Sequence, residues 1–154
     1  VKSNRETIPE IINNLRRVIQ AINEYSKAAE RSTCLTGSQL WALKILNATT
    51  LIKVSDLACQ MHLSPATVVG IIDRLELKGL VSRSRSNKDR RTVELQLTPV
   101  GIELAASSPE VAEIMLIKGL GDLPDDQFNS VENGMELMVR ILDAQAIAPQ
   151  HIHS

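Results

Sequence analysis

Leu80-Val81-Ser82-Arg83-Ser84-Arg85-Ser86-Asn87-Lys88-Asp89-Arg90-Arg91-Thr92-Val93-Glu94-Leu95-Gln96-Leu97-Thr98-Pro99 places two short strand-like runs around a tip loaded with cations. Val93, Leu95 and Leu97 alternate with Thr92, Glu94 and Gln96, the period of a half-buried strand. Leu80 and Val81 begin the partner run. Between the runs lie Arg83, Arg85, Lys88, Arg90 and Arg91, with Asp89 the only acid among them. A β-hairpin with such a tip is a poor core element. It suits phosphates or a narrow DNA groove.

Working toward the N-terminus, Leu63-Ser64-Pro65 reads as a turn into a helix. Ser64 is a good N-cap, and Pro65 fits the first helical position, where its missing N–H costs nothing. The helix is expected to run to Lys78 and stop at Gly79, which suits a left-handed cap. Val68, Ile71, Ile72 and Leu75 form its buried face; Pro65, Ala66, Val69, Gly70 and Asp73 form the opposite one. A helix meant only for solvent would carry Lys and Glu there. Small side chains let the backbone approach base edges in a major groove, while Ser64, Thr67 and Arg74 can supply hydrogen bonds. Ala and Gly can equally pack against another helix, but the basic hairpin that follows favours a reading face. A preceding helix opens at Lys53-Val54-Ser55-Asp56 and ends near His62. Before it, Thr36 caps a helix to about Asn47, with Gln39 completing a capping box. The order predicts a mainly α protein with a small β-hairpin wing: a winged helix-turn-helix.

The formal net charge of the 154-residue chain is −1, which by itself argues against nucleic acid. The distribution reverses that. Residues 73–91 carry seven basic and three acidic side chains, a net +4, so the remaining 10 basic and 15 acidic side chains sum to −5. A basic patch on an acidic body orients a molecule on DNA without gluing every face to it. Tyr25, Trp41 and Phe128 are the only aromatics, too few for recognition of single strands by stacking. There is no apolar run of bilayer-spanning length and no secretory signature, so a cytoplasmic protein without membrane contact is expected. Cys34 and Cys59 are too few for a disulfide framework and suit reduced thiols.

The ends of the chain read as helical arms. Ile8, Ile11, Leu15, Val18 and Ile22 repeat at steps of three and four, as do Phe128, Val131, Met135, Met138 and Leu142. Ile12 and Ile19, and Leu137 and Ile141, add a second apolar line to each arm. Stripes this wide require each other or a second subunit. A homodimer is the expectation, because the middle already holds its own core. The division expected is an N-terminal dimerisation helix over 1–34, a winged helix-turn-helix over 35–100, and linker and C-terminal dimerisation helices over 101–154. Ser107-Ser108-Pro109 should break the linker, with Ser108-Pro109-Glu110 capping a fresh helix.

Leu35-Thr-Gly-Ser-Gln, Asp56-Leu-Ala, Leu63-Ser-Pro-Ala-Thr-Val, Ile72-Asp-Arg-Leu-Glu-Leu-Lys-Gly-Leu-Val, Asp89-Arg-Arg and Leu97-Thr-Pro-Val-Gly occur in an order and at spacings that resemble the MarR family of transcriptional regulators. The ordered set carries the resemblance, and it covers most of the chain. It implies a homodimer held by the terminal helices, with a recognition helix in each major groove and a wing in each minor groove of a pseudo-palindromic duplex. It further implies a repressor relieved by a small aromatic effector. By the resemblance Arg91 enters the minor groove, Asp89 orients it by a salt bridge, and Arg74 sits by the DNA backbone or within that network. Phosphate contacts then fall to Arg83, Arg85, Lys88 and Arg90. The resemblance also points to an effector pocket near Ile22, Leu40, Trp41, Ile114 and Met115. Val69 and Gly70 depart from the family's pattern, which has polar or basic residues there. Base discrimination would then lean on the wing and on DNA shape, with Val69 left to touch a thymine methyl.

Two other chemistries and a rival use of the fold bear weighing. Cys59 and His62 share a helix face, but two ligands make no metal site, and Cys59 reads as a small core residue. Cys34 precedes a capped helix start and is the candidate for a thiol-based redox sensor. A winged helix can also serve as a protein-interaction module, which has no need of a guanidinium-rich tip. No nucleophile elbow, phosphate loop or catalytic histidine constellation is present, so neither an enzyme nor a cofactor is expected.

Overall fold

A computed structural model describes residues 3–149. His151 and His153 of the C-terminal tail lie outside the described residues. The chain begins with a long helix α1 (Asn4–Thr33), followed by α2 (Gly37–Ala48), strand β1 (Ile52–Lys53), α3 (Val54–Met61) and α4 (Pro65–Leu77). The hairpin β2 (Val81–Arg85) and β3 (Val93–Leu97) comes next, and α5 (Pro99–Ser107), α6 (Ala112–Gly121) and α7 (Asp125–Ile141) complete it.

Local chemistry sets the boundaries of the middle elements. Thr36 caps α2, its hydroxyl accepting from the Gln39 N–H at 3.3 Å while the Gln39 side chain reaches back to the Thr36 N–H. Ser64 caps α4 and Pro65 occupies its first turn. Gly79 takes φ +71° just past α4, the left-handed conformation that turns the chain into β2. Thr98 caps α5 and also donates its hydroxyl to the Gly79 carbonyl at 2.7 Å, tying the exit of the hairpin to its entrance. Gly101 lies so close to Leu80 that a β-carbon there would collide with the Leu80 carbonyl oxygen. This close approach explains the glycine in Leu97-Thr-Pro-Val-Gly.

The core is built by the middle of the chain. Leu40, Leu43 and Leu46 of α2, Leu57 and Met61 of α3, Val68, Ile72 and Leu75 of α4 and Leu95 of β3 are all fully buried. The buried face of α4 is the one the apolar spacing predicts. The sheet holds a strand that periodicity did not reveal. Ile52 and Lys53 pair antiparallel with Leu95 and Glu94, giving the order β1-β3-β2. A two-residue strand has no period to detect, and its partner lies some forty residues downstream.

The arms differ. Ala29 is the only buried residue of α1, and α7 has none. Ile8, Ile11, Met135 and Leu142 are 53%, 49%, 59% and 70% exposed, so the seams face solvent in the single chain. The linker is broken as expected, but later: α6 restarts after Val111, not at Ser108-Pro109. Val111 is buried in the core, which fixes the restart by packing rather than by a capping side chain. Lys44 of α2 donates to the Ser108 carbonyl at 3.4 Å and lies 4.0 Å from Glu110, so a charged strut spans the gap.

Candidate nucleic-acid interface

The outer face of α4 is open along its first two turns. Ser64, Pro65, Ala66, Thr67, Val69 and Gly70 are exposed, and Arg74 follows one turn on. The Ser64 hydroxyl accepts from the Thr67 N–H at 3.2 Å and lies 2.8 Å from the Thr67 hydroxyl, so both oxygens sit at the helix N-terminus. A β-carbon at Gly70 would meet nothing within 4 Å. The fold therefore makes no demand for glycine at this position.

The wing tip is a compact turn. The Ser86 N–H donates to the Thr92 carbonyl at 2.9 Å, and the Thr92 N–H to the Asp89 carbonyl at 2.9 Å. One Asp89 carboxylate oxygen accepts from the Arg91 backbone N–H at 2.9 Å, and the other lies 3.4 Å from the Thr92 hydroxyl. Among the described residues no salt bridge joins Asp89 to the Arg91 guanidinium, in contrast to the expected pairing. Asp89 shapes the turn from which Arg91 projects and acts through the backbone.

Arg74, Arg85, Lys88, Arg90 and Arg91 are all exposed, and none forms an ion pair among the described residues. Arg83 is different. Its guanidinium makes 2.5 Å contacts with Asp73 and with Glu76, successive acids on one side of α4. The hydrogen bond to Asp73 raises its pKa further above the ordinary arginine value, against a lowering by partial burial, and the charge of Glu76 adds to the rise. Lys78 turns the other way and donates to the Cys34 carbonyl at 2.8 Å, tying the end of α4 to the end of α1. Wing and helix thus present a belt of solvated cations, while Arg83 is spoken for within the chain.

The candidate effector residues do not converge. Ile22 and Met115 line a groove of about 290 Å³ between α1 and α6, together with Val18, Ala21, Tyr25, Ala112 and Leu116. Leu40 and Trp41 belong instead to the core at 0% and 6% exposure, and Ile114 packs against that core. Sequence reasoning missed Val18, Ala21 and Tyr25 as lining residues, although Val18 and Tyr25 stand four and three residues from Ile22, on its face of α1, and Ala21 stands three residues after Val18. Cys34 is exposed and ends α1 in the left-handed region at φ 56°. Cys59 is exposed too, correcting its reading as a core residue, because Leu57, Ala58 and Met61 take the buried face of α3. Among the described residues no group of three or more His, Cys, Asp or Glu side chains could hold a metal ion, and no helix is long and apolar enough to cross a membrane.

This geometry has known counterparts. Residues 35–93, from the start of the core to the second strand of the wing, match the family model described as MarR family. The chain belongs to the MarR family. Among curated proteins, this MarR-family chain is 34% identical over 105 residues to the HTH-type transcriptional regulator YfiV of Bacillus subtilis, covering 68% of this chain and 66% of that protein. It is 33% identical over 101 residues to the HTH-type transcriptional repressor MdtR of the same organism, covering 66% and 65%. The matched stretch is thus just under two thirds of either relative. Among solved structures, S. aureus MepR in a MepR–DNA complex aligns with a TM-score of 0.59 and 19% identity over 92% of this chain and 99% of that one. That likeness shows a shared fold, the winged helix with helical extensions.

Proposed function

We propose that this protein is a transcriptional regulator that binds duplex DNA as a homodimer, with α4 in the major groove and the wing tip in the minor groove. The observation that carries the reading is the set of exposed wing cations, Arg85, Lys88, Arg90 and Arg91, which form no ion pair among the described residues, together with the open outer face of α4. In this reading residues 35–100 form the reading head. Ser64, Pro65, Ala66, Thr67, Val69 and Gly70 face base edges, and Arg91 enters the narrow groove where negative potential is greatest. Arg74, Arg85, Lys88 and Arg90 neutralise phosphates. Residues 1–34 and 101–154 supply the dimerisation helices, whose apolar seams are exposed in the single chain.

The sign of regulation proposed is repression, supported by the name of the MdtR relative. A regulator seated in both grooves also excludes other proteins from the same duplex. The groove between α1 and α6 is the place for a small apolar or aromatic effector, because it joins an arm to the linker that carries the head.

A salt titration of duplex binding tests the central reading. Phosphate neutralisation makes the logarithm of affinity fall linearly with the logarithm of salt, with a slope of about −0.9 per phosphate. A steep slope is expected. A protein-interaction module would show weak binding with no sequence preference, and that result sinks the proposal.

A further inference from the structure

Arg83 looks like one more phosphate ligand in the sequence, but its surroundings assign it other work. In β2 the side chains of Val81, Arg83 and Arg85 fall on one face by alternation. Across the ladder Val81 pairs with Leu97 and Arg83 with Leu95, which is fully buried. Arg83 thus emerges on the face of the sheet that packs toward α4, one pleat beyond the core. There it meets Asp73 and Glu76, one helical turn apart, each at 2.5 Å. The three side chains are 28%, 53% and 41% exposed, so the clamp is shielded on the arginine side and open on the acid side.

We propose that Arg83 is a positioning residue that clamps the wing to the recognition helix and cancels the two carboxylates that α4 would otherwise turn toward DNA. This rests on the DNA-binding reading above and adds the device that sets the geometry of the site. Among the described residues the salt bridges that join the hairpin to α4 are those of Arg83. Without a strut its tip can swing about the base of the ladder. A planar guanidinium with a carboxylate on each of two nitrogens fixes both distance and angle, which a lysine cannot do. Asp73 lies on the outer face of α4 beside Gly70, and Glu76 lies one turn further on. Left unpaired, both would repel phosphates from the site itself.

The clamp can be tested with and without DNA. In the free protein, Arg83→Gln should speed amide exchange at Ser86 and Thr92, whose backbone bonds close the wing, while core amides of α2 keep their protection. Unchanged exchange at the wing overturns the strut whatever the protein does with DNA. With duplex, Arg83→Gln should weaken binding by about tenfold or more while leaving the salt slope near that of the parent. Loss of a phosphate contact would instead reduce the slope by about 0.9 per contact. A slope reduced in that way makes Arg83 a phosphate ligand and overturns the proposal.

A double-mutant cycle supplies the second test. Placed in an Asp73→Asn, Glu76→Gln background, Arg83→Gln should cost less than about twofold, since nothing remains to clamp or cancel. Equal losses in both backgrounds contradict the clamp. Arg83→Lys keeps the charge and serves if the glutamine variant fails to fold. It should release the wing in amide exchange as the glutamine does, and parental protection would count against the strut. If the parent shows no salt-dependent duplex binding, the DNA reading fails, and the exchange result still decides the strut.

Discussion

The middle of this molecule and its ends are built from equally apolar sequence, yet they use it in opposite ways. Between Leu35 and Leu97 most of the large apolar side chains that the periodicity assigns to a core are buried, with Ile45 and Leu97 partly so and Val93 exposed near the wing tip. In α1 and α7 most of the assigned residues lie open, with Leu15, Ile22 and Met138 half-buried, and the two helices together bury only Ala29. An exposed seam of this width is costly in water for a monomer. One part of the chain thus completes its fold internally, while the exposed seams of the other are the surface that the proposed dimer would cover. On the proposed reading, the wing can be damaged without touching assembly, whereas loss of the dimer also weakens duplex binding.

Removal of the C-terminal arm should have the largest effect. A chain ending at Leu123 should be monomeric in sedimentation while its remaining core keeps its cooperative unfolding. Its specific duplex affinity should fall toward non-specific levels, a loss of about a thousandfold or more, because one head cannot recover the energy of two half-sites. A dimer persisting without α7 would show that α1 alone carries the interface.

The next effect acts on the head without touching assembly. Arg91→Ala should cost about 1–3 kcal/mol in each half-site, read by gel shift, with unfolding temperature and sedimentation unchanged. Asp89→Ala should loosen the turn, because its carboxylate holds the Arg91 and Thr92 positions. Its loss of affinity should be smaller, since the guanidinium itself remains.

Stability measurements sharpen the same contrast. Leu43→Ala empties a fully buried site in α2 and should destabilise by about 2–5 kcal/mol. Trp41, buried in the same core, reports that unfolding by its fluorescence. Met135→Ala in α7 should instead lower the unfolding temperature in a manner that depends on protein concentration, the mark of coupled dissociation. Equal concentration dependence for both variants would erase the distinction between core and seam.

The sequence was most legible where structure is local. The Thr36 and Gln39 capping box, the Ser64-Pro65 helix start and the Gly79 turn each involve neighbours in the chain, and each lies where its chemistry predicts. What escaped depends on contacts between distant segments. β1 exists only because Leu95 is there to pair with Ile52. The restart of α6 follows from burial of Val111, and Cys59 is exposed because of how α3 rotates onto the core. At the site, the open face of α4 and the cationic tip follow from periodicity and composition. The partners of Arg83 do not, since no spacing rule links residue 83 to residues 73 and 76 across two elements. The effector groove was half legible for a similar reason: α1 spacing finds Ile22, but only packing shows that Trp41 turns away from it.

The smallest effect separates two glycines that look alike in the sequence. Gly101 is held by the Leu80 carbonyl, whereas Gly70 sits in mid-helix with open space where its β-carbon would be. Alanine has a higher helix propensity than glycine, so Gly70→Ala should stabilise the free protein by about 1 kcal/mol. Gly101→Ala should do the reverse, by forcing α5 away from the base of the wing. If α4 lies against base edges, the added methyl group at Gly70 must fit between helix and groove, and duplex affinity should fall as stability rises. The two changes, measured on one sample by thermal unfolding and by gel shift, then have opposite signs. A Gly70→Ala protein that is more stable and binds duplex as well as the parent would mean that the backbone of α4 never comes close to the DNA at this turn.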